Sequence, residues 1–113
     1  MSAITTHVLD TSRGRPASGI PVRLEARAGE SWRFVGDGVT DADGRLRSLM
    51  SAAVPLSSGV YRLVFDTAAY FRALGEDAFY PRIIVEFTVA EGESHYHVPL
   101  LLSPFGYSTY RGT

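Results

Sequence analysis

Three histidines are available for chemistry in this chain, His7, His95 and His97, and two of them stand in the segment HYHVPLLLSP. In an extended strand residues i and i+2 project to the same side, so the rings of His95 and His97 emerge together. A His-x-His pair of this kind suits zinc, and His7, in THVLD, would complete a three-nitrogen set. It also suits metal-free acid–base catalysis, because imidazole titrates near neutral pH. Histidines beside turns also occur with no chemical role, and spacing alone leaves all three readings open. Arg45 follows the turn DADG and shares a strand face with Arg47. One arginine after a turn is ordinarily a solvated charge. The last seven residues, YSTYRGT, hold two tyrosines, an arginine and otherwise only hydroxylic residues and glycine. Chain ends commonly fray and tolerate change, so this density of binding groups is unusual there.

Other chemistries lack their residues. DADG resembles part of a calcium loop, but the EF-hand pattern would put Val39 and Met50 where carboxylates are required. Phosphate-binding glycine loops, a G-x-S-x-G elbow and closely spaced catalytic carboxylates are missing. With no cysteine there are no disulfides and no thiolate chemistry. All 11 basic residues are arginine; without lysine, asparagine or glutamine there is no Schiff-base amine, amide oxyanion donor or N-glycosylation acceptor.

The elements that must position these groups read as strands. Ile20, Val22, Leu24 and Ala26 alternate with Arg23, Glu25 and Arg27; Tyr61, Leu63 and Phe65 share one face; so do Ile83, Val85, Phe87 and Val89. Shorter strands are expected at Thr5 to Asp10, Trp32 to Gly36, Arg45 to Leu49, His95 to Leu102 and Tyr107 to Arg111, separated by turn sequences such as RGRPASG, RAGES and AEGES. Between two strands, Tyr70 and Leu74 lie one helical turn apart, with Asp66 or Thr67 as N-cap and Gly75 as stop, which predicts one short helix. The expected fold is all-β: a two-sheet sandwich of seven to eight strands with that helix.

At 113 residues, 45% hydrophobic and 20% charged, the chain fits a single soluble domain spanning 1–113. A net charge of −1 offers no long-range attraction to nucleic acid or an anionic membrane, and neither is an expected partner. The N-terminal MSAITTHVLD does not read as a signal peptide, and no apolar run approaches the ~20 residues that cross a bilayer. A cytoplasmic location is the expectation.

Taken together, THVLDTSRGRPASGIPVRL, TDADGRL and YHVPLLLSPFGYSTYRGT closely resemble the 5-hydroxyisourate hydrolases, the transthyretin-related enzymes of urate degradation. The likeness runs from His7 to Thr113. The family's signature, Tyr-Arg-Gly followed by a hydroxylic residue that is usually serine, ends here in Thr113. The resemblance implies a transthyretin-like sandwich assembled as a homotetramer, a dimer of dimers, with sites in the channel between dimers and no cofactor. The implied reaction is hydrolysis of a ring amide of 5-hydroxyisourate. The implied catalytic groups are His7, Arg45 and His97, and the implied substrate-binding groups are His7, Arg45, Tyr110, Arg111, Gly112 and Thr113. His95 stays outside that set. Because transthyretin uses the same fold to hold thyroid hormones, a small-molecule carrier is the alternative. A carrier channel needs no histidine pair and no YRGT ending.

Overall fold

The computed structural model describes residues 2–113; Met1, the first residue of the expected domain, lies outside them. In chain order the elements are β1 (Ile4–Asp10), β2 (Arg15–Pro16), β3 (Pro21–Ala28), β4 (Ser31–Val39), β5 (Arg45–Leu46), β6 (Gly59–Phe65), α1 (Thr67–Ala73), β7 (Ile83–Val89), β8 (Tyr96–Leu102) and β9 (Tyr107–Thr109). They form two sheets. One runs β2-β1-β8-β9 with β5 also on β1, and the other runs β4-β3-β6-β7. Every pairing is antiparallel except β1 with β8.

Period-2 alternation decides which faces meet. Val22, Leu24, Leu63, Phe65 and Val85 of one sheet pack with Ile4, Val8, Val98, Leu100 and Leu102 of the other, all buried. Such residues contribute roughly 1.5–3 kcal/mol each when fully buried. The helix follows its capping chemistry: Asp66 accepts from the Ala69 amide, and the chain leaves through Gly75 at φ 74°. It presents Tyr70, whose hydroxyl donates to the buried Asp10 at 2.7 Å and so ties the helix to the end of β1.

The sandwich, its helix and the strand faces follow the expected pattern. The described residues form nine strands against the seven to eight expected, β9 ends at Thr109 short of the expected Arg111, and three further details differ. β2 lies within RGRPASG, which reads as a turn; its proline is tolerated because the piece is a short edge. The strand expected over Arg45 to Leu49 ends at Leu46; β5 pairs only with Thr6 and His7 of β1, and β2 takes Leu9 and Asp10 on the same edge. Finally, β4 continues past Gly36 to Val39. Its glycines mark close approach rather than an end, since a β-carbon on Gly36 would lie 1.7 Å from the Leu49 carbonyl oxygen.

Candidate active site

β1 and β8 run parallel in a register that opposes Thr5 to His97, His7 to Pro99 and Leu9 to Leu101. With Ile4, Thr6 and Val8 turned into the core, Thr5, His7 and Leu9 share the outer face with His97, Pro99 and Leu101. The chain then returns antiparallel along β8. Ser108 opposes Leu101, Thr109 donates to the Pro99 carbonyl at 2.7 Å, and Gly112 donates its amide to the His97 carbonyl at 2.8 Å. The C-terminal segment is thus a strand edge bonded to the histidine strand.

Arg45 reaches the same face through the DADG turn. The Asp41 carboxylate accepts from the amides of Asp43 (2.9 Å) and Arg45 (3.0 Å), and these bonds, with the Arg45 amide foremost, hold its pKa below the usual carboxylate value. Gly44 adopts φ 76°, and a β-carbon there would lie 2.4 Å from the Val8 carbonyl oxygen, so the turn can lie flat on β1. That contact brings Arg45 opposite His7. The His7 ring donates from Nε2 to the Asp43 carbonyl at 2.8 Å. A carbonyl only accepts, so Nε2 carries the proton and Nδ1 bears the free lone pair of the neutral ring.

A cleft of about 210 Å³ opens on this face, lined by Thr5, Thr6, Arg45, Arg47, His95, His97 and Thr113. The almost fully buried Thr5 hydroxyl contacts His97 Nδ1 at 2.8 Å and His95 Nε2 at 3.3 Å. His97 therefore keeps Nε2 as its free nitrogen. Burial, reinforced by the positive charge of Arg45 and the neighbouring His7, His95 and Arg47, pushes the His97 pKa below its usual 6.5. The ring is a neutral acceptor at neutral pH.

Arg45, His97 and Thr113 therefore meet in one cleft, with Gly112 flush against the His97 ring. His7 neighbours Arg45 in register but is turned to Asp43 and does not line the cleft. Tyr110 shares the His97 face, is 57% exposed and stands apart from the cleft. Arg111 crosses to the opposite face, where its guanidinium lies 4.4 Å from the Tyr96 ring centroid and 3.6 Å from Glu93. His95, outside the expected set, does line the cleft, and Thr5 is a new member. Strand parity puts Thr5 on the His7 face, but its partnership with two histidines needs the parallel pairing of β1 with β8, which no local pattern encodes.

The His-x-His pair does not offer a joint ligand set. Both nitrogens nearest Thr5 are turned to its hydroxyl, and among the described residues no three His, Asp or Glu side chains stand where one metal ion could reach them all.

Comparison with known proteins agrees with this architecture. A 5-hydroxyisourate hydrolase from Salmonella dublin is 46% identical over 112 residues, spanning 97% of this chain and 80% of that protein. The solved structure of Klebsiella pneumoniae 5-hydroxyisourate hydrolase superposes with a TM-score of 0.85 at 37% identity, over 99% of this chain and 100% of that one. Sea bream transthyretin in complex with thyroxine superposes with a TM-score of 0.88 at 34% identity, over 98% and 95% respectively. The family model describing both groups, HIUase/Transthyretin, matches residues 4–112, and the chain belongs to that family.

Proposed function

We propose that the protein hydrolyses a ring amide of 5-hydroxyisourate, giving 2-oxo-4-hydroxy-4-carboxy-5-ureidoimidazoline in urate degradation, and that it does so in the cytoplasm without a metal or cofactor. The observation that carries this reading is the meeting of His97, Arg45 and Thr113 in one polar cleft, with the C-terminal segment hydrogen-bonded to the His97 strand. The relatives named hydrolases support it; the likeness to transthyretin shows that the fold serves both family branches and does not choose between them. An imidazole pair beside a guanidinium favours hydrolysis over simple carriage.

The chemistry follows from the nitrogens left free. His97 Nε2 takes a proton from water as the water oxygen bonds to the amide carbon. Arg45, permanently charged and planar, donates to the carbonyl oxygen as it becomes an oxyanion. The carbon–nitrogen bond then breaks, the leaving nitrogen takes the proton from His97 Nε2, and a carboxylate and a ureido group result. His7 lies outside the cleft but beside Arg45, and through Nδ1 it accepts from a ring N–H of the part of the substrate that extends past Arg45. Tyr110, Gly112 and Thr113 bound the ring, and Arg111 anchors their segment by stacking on Tyr96.

At about 210 Å³ the cleft is smaller than the ~300–1,000 Å³ usual for ligand pockets, which supports its completion by a second protomer. The proposed assembly is a homotetramer, a dimer of dimers, with Tyr110 of one protomer closing a site of another across the dimer–dimer interface. Nucleic acid and membrane are not proposed partners. No described helix is long and apolar enough to cross a membrane. The test is direct: hydroxyisourate generated from urate is followed by ultraviolet absorbance with and without the protein. Decay at the spontaneous rate overturns the proposal.

A further inference from the structure

We propose that Thr5 is a positioning residue and that His97, Thr5 and His95 form a proton relay between the cleft and a separate basin on the protein surface. The inference rests on the hydrolase reading above.

The Thr5 hydroxyl has one hydrogen and faces two ring nitrogens, His97 Nδ1 at 2.8 Å and His95 Nε2 at 3.3 Å. It donates to one and must accept from the other, so the tautomers of the two rings are linked. In one state His97 Nδ1–H donates to Oγ1, and Oγ1–H donates to His95 Nε2. In the other state both hydrogens have moved one place on, toward His95: His95 Nε2–H donates to Oγ1, and Oγ1–H donates to His97 Nδ1. The hydroxyl is held for this, because Thr5 is only 4% exposed and pairs in register with His97.

His95 also belongs to a second cavity, on the side away from Arg45 and Arg47. Besides the cleft it lines a basin of about 570 Å³ formed by the Ser51–Leu56 loop, Ser2 and the turn carrying Glu93 and Ser94. The chain His97–Thr5–His95 therefore leads from the reacting water to a second solvent space. The charged groups facing it are His7 from β1, Arg45 and Arg47 from β5 and the residues after it, and Glu93, which is paired with Arg111. Three of these four, Arg45, Arg47 and the His7 ring, disfavour an imidazolium at His97; the carboxylate lies on the His95 side.

The protons balance. When His97 Nε2 takes a proton from the attacking water, its Nδ1 proton passes to Thr5 Oγ1 and the hydroxyl proton passes to His95 Nε2. His97 is then neutral with Nε2–H poised for the leaving nitrogen, and the His95 imidazolium sheds its Nδ1 proton into the basin. As Nε2–H passes to the leaving nitrogen, a proton entering at His95 Nδ1 drives the same transfers in reverse, so that Nδ1 of His97 is reprotonated in the same step and the starting tautomers are restored.

The test compares wild type, Thr5→Val, Thr5→Ser and His95→Ala by steady-state hydrolysis and by NMR titration of the histidine ring nitrogens without substrate. Thr5→Val should lower kcat about tenfold or more with KM little changed, and Thr5→Ser should restore most of it. His95→Ala should also lose kcat and regain it with added imidazole, which reaches the vacated basin side. In NMR, His95 and His97 should titrate as a coupled pair in wild type and independently in Thr5→Val. Wild-type kcat in His95→Ala, a loss that imidazole does not repair, or independent titrations in wild type each overturn the relay. His95→Ala carries the decision if Thr5→Val does not fold, because His95 is only partly buried. Coupled titrations in a protein that leaves hydroxyisourate untouched would sink the hydrolase reading and keep the linked pair; normal hydrolysis with uncoupled rings would sink the relay alone.

Discussion

Gly112 donates its amide to the His97 carbonyl at 2.8 Å and lies so close to the imidazole that a β-carbon there would come within 2.7 Å of Cδ2. The last turn of the chain is one wall of the histidine's socket, and it has to be glycine for steric reasons. Gly112→Ala should push the His97 ring off its bond to Thr5 and lower kcat about tenfold or more, the scale of a misplaced acid–base group, while thermal unfolding changes little. Wild-type kcat in this variant would show that the segment does not set the ring.

The His97 pKa lies below 6.5, so kcat/KM should fall on acidification with a midpoint below that value, and His97→Ala should lower kcat by roughly 10²–10⁴ and abolish that limb. The same shift acts on stability. Between the folded pKa and about 6.5 the unfolded chain binds more protons than the folded one, so stability rises with pH there and is lost on acidification. Urea titrations across pH 5 to 7 should show that slope in wild type and a smaller one in His97→Ala.

Arg45→Lys keeps the charge and removes the fork. Two charge-assisted hydrogen bonds become one adaptable contact, so kcat/KM should fall about tenfold or more, with circular dichroism unchanged. Activity equal to wild type would remove Arg45 from oxyanion stabilisation.

How much of this was legible beforehand divides along local and long-range lines. Alternation at Tyr61, Leu63 and Phe65, or the capping by Asp66, is written within a few residues and was recovered by pattern alone. Motif resemblance points to His97 and Arg45, but spacing does not join them, since their meeting depends on β1 lying between β5 and β8. Thr5 carries no signal in the sequence, because threonine in a strand is ordinary until two imidazoles flank it. Arg111 shows the reverse limit: a one-residue step in an extended strand sends it to the face opposite Tyr110, where it packs on Tyr96.

Asp10 ends β1 on the core side, and burial alone would raise its pKa. Hydrogen bonds from Tyr70, Ser12 and Arg13 reverse that and hold it below the usual value, while burial and Asp10 push Tyr70 up to about 12. A depressed carboxylate stabilises the fold above its unfolded pKa and loses that contribution as pH falls through the folded one. Tyr70→Phe should therefore cost about 1–3 kcal/mol near neutral pH and move the acid-unfolding midpoint upward. Because the network lies on the face of β1 away from the cleft, kcat should not change; a large drop in kcat would mean that the two faces are coupled.

Tyr110 poses the question of assembly. It shares a strand face with His97, yet it is exposed and does not line the cleft of its own protomer. Under the proposed assembly its ring serves a neighbouring site, so His97→Ala and Tyr110→Ala remove groups that act together but belong to different chains. Each homotetramer alone should have low kcat. Hybrids refolded from an equal mixture should regain activity, because a protomer with intact His97 can face one with intact Tyr110; random assembly makes about a quarter of the sites complete. If Tyr110 served its own protomer, every chain in the hybrid would carry one defect and no site could be whole. Recovery in the mixture, absent when the two preparations are combined without unfolding, is thus specific to a shared site.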